Sequence, residues 1–162
     1  MKHKKRSNTF LSFLIFLIIL FTFIRILFIV KISGNSMYPT FLDGEYALAL
    51  PITSNITYGD IIITNNDLPS GESMIKRVIA LENDTVFIDF SNGNVYVNDT
   101  LLKENYIHEP TKVYGDVIFP LTVPKGCVFV LGDNRNASID SRYSSIGCIP
   151  ISKITKKCIP LF

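Results

Sequence analysis

Histidine is scarce in this chain, with two in 162 residues, and this limits the hydrolytic chemistry it can perform. His3 lies in the basic start of the sequence, so a Ser-His-Asp triad would depend on His108, whose Ile-His-Glu-Pro surroundings are typical of a loop. The sequence has no G-x-S-x-G nucleophile elbow and no glycine-rich phosphate loop. It also lacks a grouped set of zinc ligands, so neither a metal nor an organic cofactor is expected.

Cysteine is also rare and is odd in number, with Cys127, Cys148 and Cys158. No C-x-x-C pair is present, so the three fit neither a complete disulfide framework nor a zinc site. One disulfide outside the cell stays open as an alternative. Otherwise we expect the three to be small apolar residues without chemistry of their own.

Residues 10–30 contain no acidic residue and only one basic residue, and read FLSFLIFLIILFTFIRILFIV. As a helix this segment would reach about 31 Å, close to the ~30 Å hydrocarbon core of a bilayer. A cleaved leader would end in small residues, but the first alanine of the chain is Ala47. We therefore predict a retained transmembrane anchor at residues 10–30, with the lipid bilayer as a partner.

Basic residues flank the anchor unequally, because Lys2, Lys4, Lys5 and Arg6 precede it and only Lys31 follows closely. The positive-inside bias predicts a cytoplasmic basic tail at residues 1–9 and an extracytoplasmic domain at 31–162 in a single-pass protein of the cell membrane. Residues 32–162 carry 10 basic and 14 acidic side chains. A mildly acidic domain argues against nucleic-acid binding.

The extracytoplasmic part alternates short β-rich runs with turn residues, and no long window keeps a helical period. Asn92-Gly93 predicts a two-residue hairpin turn. We predict a mainly β domain, a small barrel or a packed pair of sheets, that follows one N-terminal transmembrane helix. The predicted strands are 46–50, 60–64, 74–80, 85–89, 94–97, 115–119 and 127–131.

A serine and a lysine are the candidates for chemistry in this domain. Ser36 lies in Gly-Asn-Ser-Met-Tyr-Pro-Thr, a turn in which the backbone N–H groups from Gly34 to Ser36 could point at an oxyanion. Strand alternation places Lys76 among apolar neighbours, where burial lowers the pKa of the amine so that it can accept the serine proton. An ordinary turn serine and a surface lysine are the open alternatives.

A third segment is dense in charge, with two acids, two arginines and two serines between residues 133 and 142 after an apolar strand. Such a density is typical of a polar loop whose shape is fixed by Asp–Arg pairs. A solvated charged loop is the alternative.

Together these segments resemble the type I signal peptidases, the Ser/Lys proteases that remove signal peptides from exported proteins. Residues 36–40, Ser-Met-Tyr-Pro-Thr, match the nucleophile box S-M-x-P-T. Residues 76–79, Lys-Arg-Val-Ile, match the box of the general base, and residues 132–142 are similar to G-D-N-R-x-N-S-x-D-S-R. The single N-terminal span and compact size are similar to the Gram-positive bacterial branch.

The resemblance implies that Ser36 is the nucleophile of an acyl-enzyme mechanism and that Lys76 is the general base. It implies that Ser138 orients the Lys76 amine, and that the Ser36 N–H donates to the oxyanion, with Gly34 as a backbone candidate for a second donor. Four residues would brace the site, namely Asp133, Arg135, Asp140 and Arg142. The candidates for lining the substrate pocket are Met37, Met74 and Val78. The implied partners are signal peptides.

The sequence departs from the family pattern at several positions. Ala80 replaces the glycine after the base box, Ala137 replaces an asparagine of the last box, and Gly34 replaces a hydroxyl residue found in some relatives. None removes a reacting atom. The rival interpretations are a specialised relative for pilin or conjugation precursors, and a non-catalytic membrane-tethered β domain that binds peptides.

Overall fold

The computed structural model describes residues 4–26, 28–52, 55–65, 71 and 73–160. Helix α1 spans Lys4–Ile26, and its described side chains, from residue 9 to residue 22, are exposed. Within the described residues, no helix has both the length and the apolar character needed to cross a membrane. Residues 1–3 of the predicted basic tail, including Lys2, lie outside the described residues.

The described chain beyond α1 is mainly β, as predicted. Its strands in chain order are β1 (Phe28–Lys31), β2 (Tyr46–Pro51), β3 (Ile61–Thr64), β4 (Ile75–Ala80), β5 (Thr85–Asp89), β6 (Asn94–Val97), β7 (Thr100–Leu101), β8 (Leu121–Thr122), β9 (Cys127–Leu131), β10 (Ile149–Pro150) and β11 (Ile154–Ile159). Two short 3-10 helices, Arg135–Ala137 and Ile151–Lys153, complete the regular structure of the described residues.

These strands form two antiparallel sheets. The large sheet has the order β1-β2-β11-β3-β4-β9-β10, and the small sheet has the order β7-β6-β5-β8. The predicted helix extends too far, because Phe28–Lys31 pair with Tyr46–Ala49 of β2 instead of continuing α1. The β-branched Ile29 and Val30 favour this extended backbone.

The packing between strands explains why both faces of the central strands are apolar. Ile79 of β4 and Phe129 of β9 face Val86 and Val95 of the small sheet in one buried cluster. Val78, on the opposite face of β4, packs in a second cluster with Ile62 and Val130. A continuous apolar run such as Cys127–Leu131 is therefore what a strand between two cores requires.

Two local predictions are corrected by the structure. The hairpin between β5 and β6 is closed by residues 90–93, four residues rather than two, because Asp89 pairs with Asn94. Gly93 donates its N–H to the Asp89 carbonyl at 2.7 Å and has a φ of 81°, which suits glycine. Residues 115–119 form no strand, because this segment packs along the backbone of Arg142, whose carbonyl accepts the Val117 N–H at 3.0 Å.

Candidate active site

The segment that carries Ser36 is held on the large sheet by its own apolar side chains. Met37 and Phe41 are each 1% exposed and pack with Ala47 and Ala49 of β2. Gly34 adopts a φ of 84° at the bend before the serine, a conformation that residues with a Cβ rarely adopt. Burial on one side of this segment leaves Ser36 on the other, beside β4.

Lys76 reaches Ser36 from the middle of β4. Its Nζ donates to Ser36 Oγ at 2.9 Å and to the Ile75 carbonyl at 3.1 Å, and the residue is 5% exposed. Burial lowers the pKa of Lys76 to about 8; the charges of Asp140 and Asp133 oppose this shift, and that of Arg142 adds to it. Among the described residues, no carboxylate lies within salt-bridge distance of this amine.

Asp133 connects the serine segment to the lysine strand. Its two carboxylate oxygens accept from Nε and Nη2 of Arg77 at 2.8 and 2.7 Å, and the Thr40 hydroxyl donates to the same carboxylate. The Arg77 guanidinium also lies 4.0 Å from the centre of the Tyr106 ring. Asp133 is 0% exposed, so this bidentate pair fixes β4 relative to the serine segment in a dry environment.

Two further buried pairs shape the loop of residues 132–142. Arg142 donates to the Asp140 carboxylate at 2.8 and 2.9 Å, and both side chains are fully buried. Arg135 pairs with Glu104 and donates to the Thr111 hydroxyl at 2.7 Å. The acids and arginines of this loop therefore form a paired structural network with Arg77 and Glu104 from outside it. We call this network the brace: Arg77, Glu104, Asp133, Arg135, Asp140 and Arg142.

Ser138 lies in this loop close to the segment that carries Ser36, but its predicted hydrogen bond to Lys76 is not formed. Its hydroxyl is buried and has no hydrogen-bond partner among the described residues. A Cβ on Gly132 would overlap the Ser138 side chain and come within 2.5 Å of the Ser36 carbonyl oxygen. Gly132 therefore allows Ser138 and Ser36 to approach, a role that the sequence motif alone did not reveal.

The predicted backbone oxyanion donors have different surroundings. The N–H of Gly34 donates to the Asp43 carboxylate at 2.8 Å, so this N–H is engaged within the chain, and a role for Gly34 as an oxyanion donor stays a prediction. No described residue accepts a hydrogen bond from the Ser36 N–H. The Ser36 N–H therefore remains the candidate donor at this site.

A cavity of about 370 Å³ opens onto the Ser36 and Lys76 side chains. Met37 and Met74, two of the predicted pocket residues, line it. Val78 does not line it; this side chain packs in the core with Ile146, and Ile146 lines the cavity instead. Further lining residues are Ile32, Ser33, Asn35, Ser73, Ile75, Ala137 and Ile139.

The remaining sequence candidates lie outside this cavity. His108 is exposed and its ring packs edge-on against Tyr38, with centroids 4.7 Å apart. Among the described residues, no group of three or more His, Cys, Asp or Glu side chains could hold a metal ion. Arg77 and Glu104 were missed, and only Arg77 carried a signal, since it belongs to the Lys-Arg-Val-Ile motif.

Comparisons with known proteins agree with this geometry. A family model described as "Signal peptidase, peptidase S26" matches residues 6–161. The chain is 38% identical to Signal peptidase I U of Bacillus subtilis (strain 168) over 152 residues, which cover 87% of this chain and 79% of the relative. It is 36% identical to Signal peptidase I of Bacillus amyloliquefaciens over 137 residues, which cover 76% of this chain and 67% of that relative.

A solved structure supports the same grouping. A crystal structure of a signal peptidase I from Enterococcus faecalis V583 aligns with a TM-score of 0.53 and 29% identity, covering 64% of this chain and 97% of that chain. The described β domain and the sequence match therefore point to one family. The chain belongs to the signal peptidase family, peptidase S26.

Proposed function

We propose that this chain is a type I signal peptidase, an endopeptidase that removes N-terminal signal peptides from exported preproteins with Ser36 as nucleophile and Lys76 as general base. The observation that carries the proposal is the 2.9 Å contact between Lys76 Nζ and Ser36 Oγ in a buried setting. Membership of the signal peptidase family supports the substrate class.

The proposed reaction begins with neutral Lys76, which takes the proton from Ser36 Oγ as this oxygen attacks the scissile carbonyl. The Ser36 N–H stabilises the oxyanion of the tetrahedral intermediate. The Lys76 ammonium then returns the proton to the leaving amine, which leaves an acyl-enzyme on Ser36. In the second half, Lys76 takes a proton from water as the water oxygen attacks the acyl carbon. The bond to Ser36 Oγ then breaks, Lys76 returns the proton to Ser36 Oγ, and the signal peptide leaves with a free carboxylate.

Burial explains how a lysine serves as a base. A pKa of about 8 leaves roughly a tenth of the Lys76 amine neutral at pH 7, compared with less than a thousandth at the ordinary value of 10.5. The carboxylates of Asp133 and Asp140 would favour the ammonium, but each is paired with an arginine. The brace therefore fixes the shape of the site, while the pKa of Lys76 stays low enough for part of its amine to be neutral.

The cavity at the dyad supports recognition of small or short aliphatic side chains next to the scissile bond. Its lining combines apolar side chains with the polar residues Ser33, Asn35 and Ser73, and Lys76 is its one charged residue among the described lining residues. Met37 and Met74 are among its lining residues, and we expect large substrate side chains to clash with them. Such a site fits the small residues that precede signal-peptide cleavage sites.

The apolar part of α1 is proposed to anchor the enzyme in the cell membrane, with the N-terminus in the cytoplasm and the catalytic domain outside. Its described leucine, isoleucine and phenylalanine side chains are exposed, for example Phe10 at 70% and Phe21 at 65%. Exposed apolar side chains all around a helix suit a lipid surrounding. β1 begins at Phe28, which would keep Ser36 near the outer interface, where a signal peptide leaves the bilayer.

The test is cleavage of a peptide with an A-x-A site by the full-length protein in detergent. Ser36→Ala and Lys76→Ala should each lower kcat/KM by at least about 10³-fold, because each removes a group that acts in the transition state. Lys103→Ala, at an exposed lysine far along the chain, is the matched control and should cut normally. Normal cleavage by either dyad variant would contradict the mechanism, and an inactive wild type would favour a peptide-binding domain.

The proposed topology has its own test. Protease added outside intact cells should digest the β domain and leave the tail at residues 1–9 protected. Digestion only from the cytoplasmic side would reverse the orientation.

A further inference from the structure

Two cysteines lie at the two ends of the segment that carries most of the brace. Cys127 is the first residue of β9, and Cys148 directly precedes β10. The chain between them includes Asp133, Ser138 and the Asp140–Arg142 pair. A covalent link between these two cysteines would therefore close a loop around that part of the site.

The strand register brings the two cysteines together. β9 and β10 are antiparallel, with Cys127 opposite Pro150 and Val128 opposite Ile149. Continuing this register by one residue places Cys148 opposite Phe129, so Cys127 and Cys148 are diagonal neighbours across the ladder. Diagonal neighbours on one face of such a pair have Cα atoms roughly 7–8 Å apart, with the Cβ atoms somewhat closer.

The packing shows that both side chains are on the same face. Cys127, Phe129 and Cys148 all belong to the cluster between the two sheets, whereas Val128 and Ile149 belong to the cluster on the opposite face. Both cysteines are free and partly exposed. The pKa of the Cys148 thiol is raised to about 11, chiefly by burial and further by its electrostatic interaction with Cys127, which is consistent with the two side chains being neighbours.

We propose that Cys127 and Cys148 form a disulfide that staples the base of the 127–148 loop and stabilises the site. A bridge needs Cβ atoms roughly 3.5–4.5 Å apart, so the strand ends must approach slightly. Cys148 lies just outside the two-residue strand β10. A shift of Cys148 therefore leaves both pairs of the β9–β10 ladder in place. Cys158 takes no part, because it is 4% exposed in a different cluster, under Met37 and Phe41.

The reaction is thiol–disulfide exchange with a small-molecule or protein disulfide as oxidant. One cysteine thiolate attacks the oxidant, which forms a mixed disulfide and releases one oxidant thiol. The second cysteine thiolate then attacks the mixed disulfide, which closes the Cys127–Cys148 bond and releases the second thiol. The pair loses two electrons and two protons, and the oxidant disulfide is reduced to two thiols.

Access to such an oxidant rests on the proposed placement of the domain outside the cytoplasm. The ability of Cys127 and Cys148 to form a disulfide with an added oxidant does not depend on that placement. A cross-link that closes a loop of about 20 residues stabilises chiefly by restricting the unfolded chain, and in a protein of this size it should raise the Tm by roughly 5–10 °C.

The experiment incubates full-length protein in detergent with oxidised or reduced glutathione and maps the products by proteolysis and mass spectrometry. We expect a peptide that joins Cys127 to Cys148 in the oxidised sample, together with the higher Tm. Cys127→Ser and Cys148→Ser should each lose both, and Cys158→Ser, the matched control, should keep both. The variants should cleave an A-x-A peptide like wild type under reducing conditions.

The proposal is overturned if no joined peptide forms, if Cys158 is the partner, or if the bridge forms without a rise in Tm. The proposed function is judged separately, by cleavage of the A-x-A peptide. Bridged protein that never cleaves the peptide, reduced or oxidised, would contradict the peptidase assignment and leave the disulfide standing.

Discussion

Two neighbouring cations of β4, Lys76 and Arg77, experience opposite environments. Arg77 points to the brace, where the buried Asp133 binds it through two hydrogen bonds and Tyr106 stacks on it. Lys76 points to the cavity and contacts a hydroxyl and a backbone carbonyl. One strand therefore presents a permanently charged structural residue on one face and a titratable base on the other.

The difference teaches how this fold separates stability from reactivity. A buried charge that is fully paired holds surrounding elements in place, and losing its partner is costly. When an amine is buried without a carboxylate partner, its charged form is destabilised. Its pKa therefore falls, and the neutral amine can accept a proton near neutral pH. Replacing the two residues by the same apolar side chain should therefore have opposite effects on stability.

Arg77→Met gives the largest expected effect. It leaves the Asp133 carboxylate buried with only the Thr40 hydroxyl as a side-chain partner, so we expect a loss of about 3–5 kcal/mol in the free energy of unfolding. Denaturant unfolding of the full-length protein in detergent measures this loss. Asp60→Asn is the matched control at the Lys157–Asp60 pair, whose side chains are 20% and 21% exposed, and it should cost about 1 kcal/mol. Equal losses at the two sites would remove the distinction between the brace and an ordinary surface pair.

Lys76→Met is the companion variant, and it should stabilise the protein at pH 7 while abolishing cleavage. The folded pKa of Lys76, about 8, lies below its unfolded value near 10.5, so the folded chain binds fewer protons between these values. Wild-type stability attributable to this group therefore rises with pH from about 8 to about 10.5. The advantage of Lys76→Met should be greatest below pH 8 and shrink through that window, as measured by unfolding at several pH values. A variant less stable than wild type at pH 7 would contradict the electrostatic comparison.

Ile139→Ser gives a smaller expected effect, on substrate binding. Ile139 is 62% exposed on the rim of the cavity, between the buried Ser138 and Asp140, so a bound peptide would cover an apolar side chain on a rigid support. We expect kcat/KM for an A-x-A peptide to fall about tenfold with little change in stability. Ile151→Ser, at an isoleucine that is 40% exposed elsewhere, should leave kcat/KM unchanged. Equal kinetics for wild type and Ile139→Ser would show that this rim does not contact the peptide.

Local patterns in the sequence were sufficient for much of this architecture. Strands β5, β6 and β9 were predicted to the residue, because their alternation or apolar runs are bounded by clear turns. Strands β2, β3 and β4 were predicted within one residue. Ser36 and Lys76 were singled out because short motifs with a fixed order surround them, and the structure brings their side chains together.

The missing parts depend on contacts that are distant in the chain. β11 contains Lys156 and Lys157, so its polar composition conceals a central strand that pairs with β2 and β3. The N–H of Gly34 is taken by Asp43, a contact that no motif records. The strand expected at 115–119 was lost to backbone contacts with Arg142. Such outcomes follow from tertiary packing, which local propensity does not include.

The most direct test of the central claim is the pKa of the Lys76 amine itself. Carbon-13 labelling of the lysine Cε positions, with Lys76→Met used to assign the signal, allows NMR titration of the full-length protein in detergent. We predict a midpoint near pH 8 for this one lysine, and kcat/KM that rises through the same midpoint as the amine loses its proton. A Lys76 midpoint at or above pH 10, with activity already constant below it, would contradict the account.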